Sequence, residues 1–559
     1  LNVVLTQTHF GIDWIVRAAM VVVLALSLIV QARTRNHTSG LIGLIVAWAF
    51  IASLAWAGHG AAMEDLPFDA IHAPADILHL IAAGAWLGGL LPLVLFLAHA
   101  CRDRNAQAVA VAQAATLRFS VLGITCVGTL IVTGIVNTWF LSGTAAALFG
   151  TLYGQLLLLK VVLFAAMIAV AATNQRKLLP LLADATNDTG VCVQALQQVR
   201  RNASAEVIVG IFVLAIVGII GILPPGLHTE PKWPFSFRFD LSEMTAGAQT
   251  LFYIAATATA LCLIAAVIVA DRKRYRELSV AVALLIIFGI VGWVALRPGI
   301  VEAYPTSFYA SPQAYAAPSI ARGAPLYAQN CIECHGASGR GDGPLANKLR
   351  IRPADLTEEH LFAHKVGEMY WWIGNGKGGV MPGFADRLTS DQRWDLINFI
   401  LARAAGDLTK NTGSQIGNAA AAPVPDFAFE RNGAQNTLAQ TLKTGPVLLV
   451  LFGTHAPRAR LEQLAKLNLR VVAVGLGLSN VRTPLSVDVS KEVRTALAMF
   501  VSPRDGGETE LMLDRGGNVR ARWTAADAGG LANAVTLVAD AAAVARIPVA
   551  AANHAGHGQ

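Results

Sequence analysis

Cys331-Ile-Glu-Cys334-His335 fixes the fold around it, because C-x-x-C-H is the attachment site of a c-type haem. Each thiol adds to a porphyrin vinyl group, and the adjacent histidine is held beneath the iron as proximal ligand. The motif occurs once, so one covalent haem c is expected. Half of a zinc site is the competing reading, but it needs more cysteine at ligand spacing, and none follows Cys334. The attachment chemistry places this segment on the periplasmic side of a bacterial membrane.

Downstream come Gly336-Ala-Ser-Gly339-Arg-Gly341-Asp342-Gly343-Pro344, Pro353-Ala-Asp355 and Gly379-Val-Met381-Pro382-Gly-Phe384, then an amphipathic stretch from Asp391 to Ala404. This run, Ala321 to Gly406, resembles the class I monohaem cytochromes c. The resemblance implies an all-α domain over 319–408 in which Met381, in an M-P pair, is the distal iron ligand. Its thioether would raise the potential relative to a second histidine. Met369 is the competitor, but Leu361 to Ile373 reads as helix and a methionine there is more simply core.

The 559 residues are 54% hydrophobic and 14% charged, with mean hydropathy +0.52, too apolar for a wholly soluble chain. Apolar runs long enough to cross a bilayer stand at about 11–31, 40–58, 75–98, 118–140, 151–173, 203–223, 248–270 and 278–296. They predict a polytopic helical bundle of eight spans over 1–297. Four alternate connections carry the basic residues: Arg33 and Arg35; Arg102, Arg104 and Arg118; Arg176, Lys177, Arg200 and Arg201; Arg272, Lys273, Arg274 and Arg276. The others hold only Lys232 and Arg238. By the positive-inside rule the first set is cytoplasmic, and the eighth span exits to the periplasm at Arg297. That is the side haem attachment demands. The pI near 9.2 then reflects membrane topology, and no nucleic-acid partner is expected. The chain opens on Leu1, so either the start is unusual or preceding sequence is missing; the first hydrophobic run lacks a basic leader and a small-residue cleavage site, so no cleavable signal is expected.

Residues 298–318 and 409–424 read as linkers from their Pro, Ser, Ala and Gly content. Over 425–548 the pattern turns α/β, with strands at 447–452, 471–474 and 510–514 and a helix at 461–467. Pro425-Asp-Phe427, then Phe452-Gly-Thr-His455-Ala456-Pro457-Arg458-Ala459-Arg460, then Leu511-Met-Leu513-Asp514-Arg-Gly516-Gly517-Asn518-Val519 resemble thioredoxin-like and peroxiredoxin-like domains. Alanine occupies both cysteine positions of that family, Ala456 and Ala459. No thiol-disulfide exchange is expected, and the domain reads as a docking or stabilising module. The tail, 549–559, carries His554 and His557, which read as solvated.

In the membrane part His59, His72 and His79 gather near the periplasmic ends of the second and third spans, with Met63 and Asp76 among them. His72 and His79 share a helix face if the helix begins before Pro74. Imidazole and thioether together suit copper; interfacial histidines that satisfy helix ends are the plain alternative. Asp13 and Arg17, one turn apart, read as a pair, Lys160 falls near mid-bilayer, and Glu206 lies just inside the sixth span. Cys101, Cys126, Cys192 and Cys262 read as core or cytoplasmic thiols.

His59-Gly60, His72-Ala-Pro-Ala-Asp76-Ile-Leu-His79 through Gly84-Ala-Trp86-Leu-Gly88-Gly89, Arg118-Phe119-Ser120, Thr133-Gly134-Ile-Val-Asn137, Tyr153-Gly154 through Lys160, and Pro224-Pro225 resemble the copper-resistance D family from about Gln7 to Gly226. That resemblance implies copper handling at the bacterial inner membrane, with His59, His72, His79 and Met63 as candidate copper ligands. Two function classes stay open. In one, the bundle binds or moves copper ions while the periplasmic cytochrome exchanges electrons. In the other, the bundle only anchors an electron carrier that serves a respiratory or periplasmic redox partner. A b-type haem in the bundle would need histidines at matching depth on two helices, whereas His79 and His99 lie toward opposite ends of one.

Overall fold

The computed structural model describes residues 6–34, 37–57, 69–103, 105–184, 188–271, 275–416, 422–477, 485–505 and 507–548. They divide into two compact units, Leu1–Lys232 and Trp233–Gln559. Among the described residues eight helices are long and apolar enough to cross a membrane, as the hydropathy predicts.

Six belong to the first unit: α1 (His9–Thr34), α2 (His37–Ala52), α3 (Asp69–Asp103), α4 (Ala106–Ser142), α5 (Leu152–Thr173) and α6 (Thr189–Ile220). Helix α3 packs on α4 and α6, and α6 packs on α5. Helices α4 and α6 start some twelve to fourteen residues before their apolar windows. A hydropathy window misses these turns because only one stripe of each is apolar. That stripe is buried: Leu93, Leu97 and Cys101 of α3 meet Val109 and Ala112 of α4 and Cys192, Leu196 and Val199 of α6. Arg118 and Arg200 therefore sit within helices, not loops. Arg17 makes a different contact from the expected one with Asp13. It donates to the Ser53 hydroxyl at 3.1 Å and the Ser53 carbonyl at 2.5 Å, satisfying an acceptor left over where α2 ends.

The second unit opens with a hairpin of apolar helices, α7 (Ala246–Asp271) and α8 (Tyr275–Leu296). Strands flank it, β1 (Phe237–Phe239) and β2 (Ile300–Glu302), which pair antiparallel. The stretch expected as a loose linker, 298–318, is thus part of the fold. The Thr306 hydroxyl donates to Gly367 O at 2.6 Å, Tyr304 stacks on Trp371 and Phe308 packs on Trp233. Arg238 of β1, 3% exposed, donates to Glu368 at 2.7 Å and also pairs with Asp240. Aromatic and Arg side chains give this segment contacts that its Pro and Ser content conceals.

The haem-motif domain comprises α9 (Ala317–Asn330), α10 (Ile332–His335), α11 (Val366–Asn375) and α12 (Ser390–Lys410). Helix α9 crosses α12 at Gly323, where a Cβ would strike the Asp395 carbonyl. Tyr327 and Phe399 pack at the same crossing, 5.2 Å apart. The Asp395 carboxylate accepts from Ser319 at 2.6 Å and Arg322 at 2.7 Å.

Beyond α12 come a small hairpin, β3 (Ala428–Arg431) and β4 (Ala434–Thr437), then α13 (Leu438–Lys443), β5 (Val447–Phe452), α14 (Arg458–Ala465), β6 (Val471–Gly475), α15 (Lys491–Leu497), β7 (Glu508–Leu513), β8 (Val519–Thr524) and α16 (Leu537–Ala545). The main sheet has order β6-β5-β7-β8; β5 and β6 are parallel, and the other pairings are antiparallel. This α/β arrangement is compatible with the thioredoxin-like expectation. Strand β5 is buried throughout, as a strand covered on both faces requires. Val447, Leu449 and Leu451 join one core with Ile320, Ile397 and Phe399 of the haem-motif domain, while Leu448, Val450 and Phe452 join a second with Leu461 and Leu537. Strand β8 is absent from the sequence reading because its arginines look like surface residues. They are buried ion pairs, Arg520 with Asp514 at 2.7 Å and Arg522 with Asp505 at 2.6 Å.

Two outcomes follow from this packing. Gly323→Ala should destabilise the haem-motif domain by on the order of 1–3 kcal/mol, because a backbone carbonyl cannot yield to the added methyl; a lowered denaturant midpoint, followed by Soret absorbance, checks it. Burial pushes the Glu368 carboxyl up, but the His364 imidazole and the Arg238 guanidinium outweigh that and hold it below the usual range. The pair therefore contributes fully above the ordinary glutamate value of about 4.3 and is lost as pH falls through the lower folded value. Thermal unfolding against pH should show this acid loss in the wild type. Arg238→Ala should cost roughly 3–5 kcal/mol at neutral pH by stranding Glu368.

Candidate functional site

The haem motif sits in a single helical turn. Cys331 ends α9, and α10 runs to His335, where Gly336 stops it at φ 78°. The loop that follows folds back on the turn: Gly341 N donates to His335 O at 3.0 Å, Gly343 N to Cys334 O at 3.1 Å and Leu345 N to Glu333 O at 2.8 Å. This accounts for the glycines downstream of the motif, since most side chains would block so close a return. Cys331 and Cys334 are both free and half-buried.

His335 Nδ1 lies 3.0 Å from the Ala354 carbonyl. A carbonyl only accepts, so Nδ1 carries the proton and Nε2 keeps its lone pair. Burial also pulls the imidazole pKa down, against the opposing effect of that bond, which favours the neutral form. Free thiols and a ring with Nε2 available are the donors that covalent haem requires, so the residues present fit the group.

Met381 and Met369 differ in setting. Met369 is 4% exposed, in the core on α11. Met381 is half-buried against the same core as Cys331 and Ile332. Its backbone is clamped by reciprocal 3.1 Å bonds with Lys377, whose ammonium lies over Trp372 at 3.5 Å. Gly376, at φ 84°, passes so near the Met381 carbonyl that a Cβ would clash.

The second site lies within the membrane part. Helix α3 begins at Asp69, before Pro74, so His72, Asp76 and His79 share one face at spacings of four and three. On α4, Phe140, Asn137 and Thr133 run the other way at spacings of three and four. The two stripes pair one to one. His72 packs on Phe140 with ring centres 5.0 Å apart, Asn137 donates to Asp76 at 3.0 Å, and His79 Nδ1 meets the Thr133 hydroxyl at 2.9 Å. That hydroxyl gives its proton to Thr129 O at 2.7 Å and must accept from His79. Nε2 of His79 is therefore left with its lone pair. Gly134 lies beside the ring, where an added Cβ would stand in ordinary contact at 3.5 Å. Lys160 of α5 interacts electrostatically with Asp76 and His79.

His72 is 4% exposed. Its Nε2, like Asn137 Oδ1, is buried without a hydrogen-bond partner among the described residues. Buried polar atoms are normally paired, so each such exception needs a physical reason, whether a water, an ion or local strain. Among the described residues no three His, Cys, Asp or Glu side chains are grouped to hold a metal. His59, Met63, His554 and His557 lie outside the described residues. Thr133 and Asn137 were not among the sequence-derived candidates; the signal that finds them is their spacing, which mirrors that of His72, Asp76 and His79.

These features define a multi-pass membrane protein carrying a cytochrome c domain. Residues 1–67 match the Copper resistance protein D-like, N-terminal domain, residues 113–220 match Copper resistance protein D, and residues 318–400 match Cytochrome C oxidase, cbb3-type, subunit III. The copper resistance protein D of Pseudomonas syringae pv. tomato is 30% identical over 228 residues, 41% of this chain and 72% of the relative. The copper transport protein CutJ of Bacillus subtilis (strain 168) is 32% identical over 234 residues, 41% of this chain but 40% of CutJ. Cytochrome c6 of Thermosynechococcus vestitus is 34% identical over 95 residues, 17% of this chain and 79% of the relative. No solved structure matches. The chain belongs to the copper resistance protein D family, and its membrane part is that of a multi-pass inner-membrane protein.

Proposed function

We propose that this protein handles copper ions at the inner membrane, taking them from the periplasmic side at the His72–His79 stripe, and that its cytochrome c domain faces the same side as a one-electron carrier. The observation that carries the reading is the shared state of two imidazoles, His335 and His79. Each has Nδ1 fixed by an oxygen acceptor and Nε2 free, the state in which histidine ligates a metal. His72, with its unpartnered Nε2, adds a second ring on the His79 face, and His59 and Met63 complete the set. Imidazole and thioether donors suit copper. Cys331 and Cys334 would hold haem covalently and His335 and Met381 would ligate its iron, while Met369 stays in the core. Bound haem supplies a one-electron couple, which matches the one-electron difference between Cu(II) and Cu(I).

The residues divide the work. Ala354 and Thr133 orient the two rings, Asp76 with Lys160 sets the charge beside the copper stripe, and Lys377 holds Met381 in place. Basic connections that are cytoplasmic by the positive-inside rule put 297 onward in the periplasm.

Metal analysis of the purified chain beside its haem spectrum tests the whole reading. Iron with stoichiometric copper supports it; iron alone makes the protein a membrane-tethered electron carrier. Thr133→Val should weaken copper binding roughly 10–100-fold by releasing the His79 ring, and His72→Ala with His79→Ala should abolish it, both leaving haem content unchanged. Met381→Ala should remove sulfur-to-iron charge-transfer absorption and lower the potential. The same loss in Met369→Ala, with Met381→Ala silent, would move the ligand role to Met369.

A further inference from the structure

The face of α3 that carries His72 and His79 continues through Trp86 to Leu93 at seven-residue steps. Trp86 and Leu93 line a cavity of about 320 Å³. Trp86 stands edge-on to Phe164 of α5 at 5.8 Å, so an aromatic pair lies between the histidine stripe and the cavity. At 1.5 Å per residue, Trp86 is roughly 10 Å from His79 along the helix. The far end of the cavity includes Ser120, Gln175 and Arg176, on the side that the basic residues mark as cytoplasmic.

Glu206 of α6 also lines this cavity. It is 3% exposed and has no ion-pair partner among the described residues. Its hydrogen bond comes from an amide: Asn174 Nδ2 donates to Oε1 at 3.4 Å. Asn174 in turn accepts from Asn202 at 2.6 Å, and Asn202 accepts from Gln198 at 2.9 Å. Three amides in series thus donate toward one carboxylate. Asn174 and Gln175 also open a π-helical turn, Asn174–Leu178. Such turns are rare and concentrate at functional sites. A buried intramembrane carboxylate with no cationic partner is costly, and a bound cation offsets that cost.

We propose that the Glu206 cavity is a second cation site, reached past Trp86, from which copper leaves toward the cytoplasm. The inference rests on the copper reading of the histidine stripe and gives the same ion its exit. The donors here are all oxygen: the Glu206 carboxylate with the side-chain oxygens of Gln175 and Ser120, which are hydrogen-bonded to each other. Hard oxygen donors hold copper less tightly than imidazole and thioether do. The Arg176 guanidinium in the lining weakens retention further. A strong entry site followed by a weak one gives release.

The test uses the full haem-loaded chain in lipid vesicles enclosing a Cu(I)-responsive dye, with bound copper measured separately on the purified protein. Glu206→Gln should keep haem and the copper bound at the histidine stripe, while uptake falls roughly tenfold or more. Glu206→Asp should give intermediate uptake. Wild-type uptake in the Gln variant overturns the exit site, and if that variant fails to fold, wild-type uptake in the Asp variant overturns it instead. No uptake by the wild type, with copper still bound, removes the transport reading and the exit site with it. No bound copper in the wild type removes the entry site first.

Discussion

A polar side chain on a membrane helix must find its partner inside the protein, because lipid offers none. The rest of the membrane part depends on that constraint. His72, Asp76 and His79 of α3 are affordable only because α4 presents Phe140, Asn137 and Thr133 in register with them. Register brings Gly134 beside the His79 ring. It also fixes chemistry, because the Thr129 carbonyl takes the only proton Thr133 has and so determines the His79 tautomer. The atoms left without partners among the described residues, His72 Nε2 and Asn137 Oδ1, are the exceptions on a stripe that is otherwise paired.

The cytochrome and α/β domains obey a different constraint, the burial of one helix on several sides. Almost every residue of α12 from Trp394 to Ala405 is buried. One side meets α9 at Gly323. Other apolar residues share a core with one face of β5, the face formed by Val447, Leu449 and Leu451. The α/β domain therefore completes the cytochrome core and does not hang from it. This gives a physical content to a domain that has alanine at positions 456 and 459 where thiol chemistry would need cysteine: its retained feature is the packing surface.

Much of this was legible in the sequence where a rule involves neighbours along the chain. The haem turn, the eight apolar runs, the early start of α3 and β5, β6 and β7 all follow from local pattern. What was not legible depends on partners distant in sequence. Strand β8 reads as polar until Arg520 and Arg522 are seen paired to Asp514 and Asp505. Residues 298–318 read as a linker until Thr306 meets Gly367 and β2 meets β1. Arg17 reads as the partner of Asp13 until the end of α2 brings Ser53 to it. In each case a polar residue was classed by its own chemistry, while its role came from an acceptor far along the chain.

The way the cytochrome is mounted bears on how electrons can reach it. A haem domain on a loose tether samples many orientations, and a productive one is reached only part of the time. Here Arg238, in the strand before α7, and Thr306, after α8, both engage helix α11 of the cytochrome. The Arg238–Glu368 pair is buried on both sides, so separating the two would leave each charge uncompensated. Lys365 over the Phe308 ring adds a contact to the same junction. The cytochrome is thus held in one orientation on the α7–α8 hairpin. For the electron-carrier role proposed above, fixed geometry would favour exchange with one partner surface over shuttling among many.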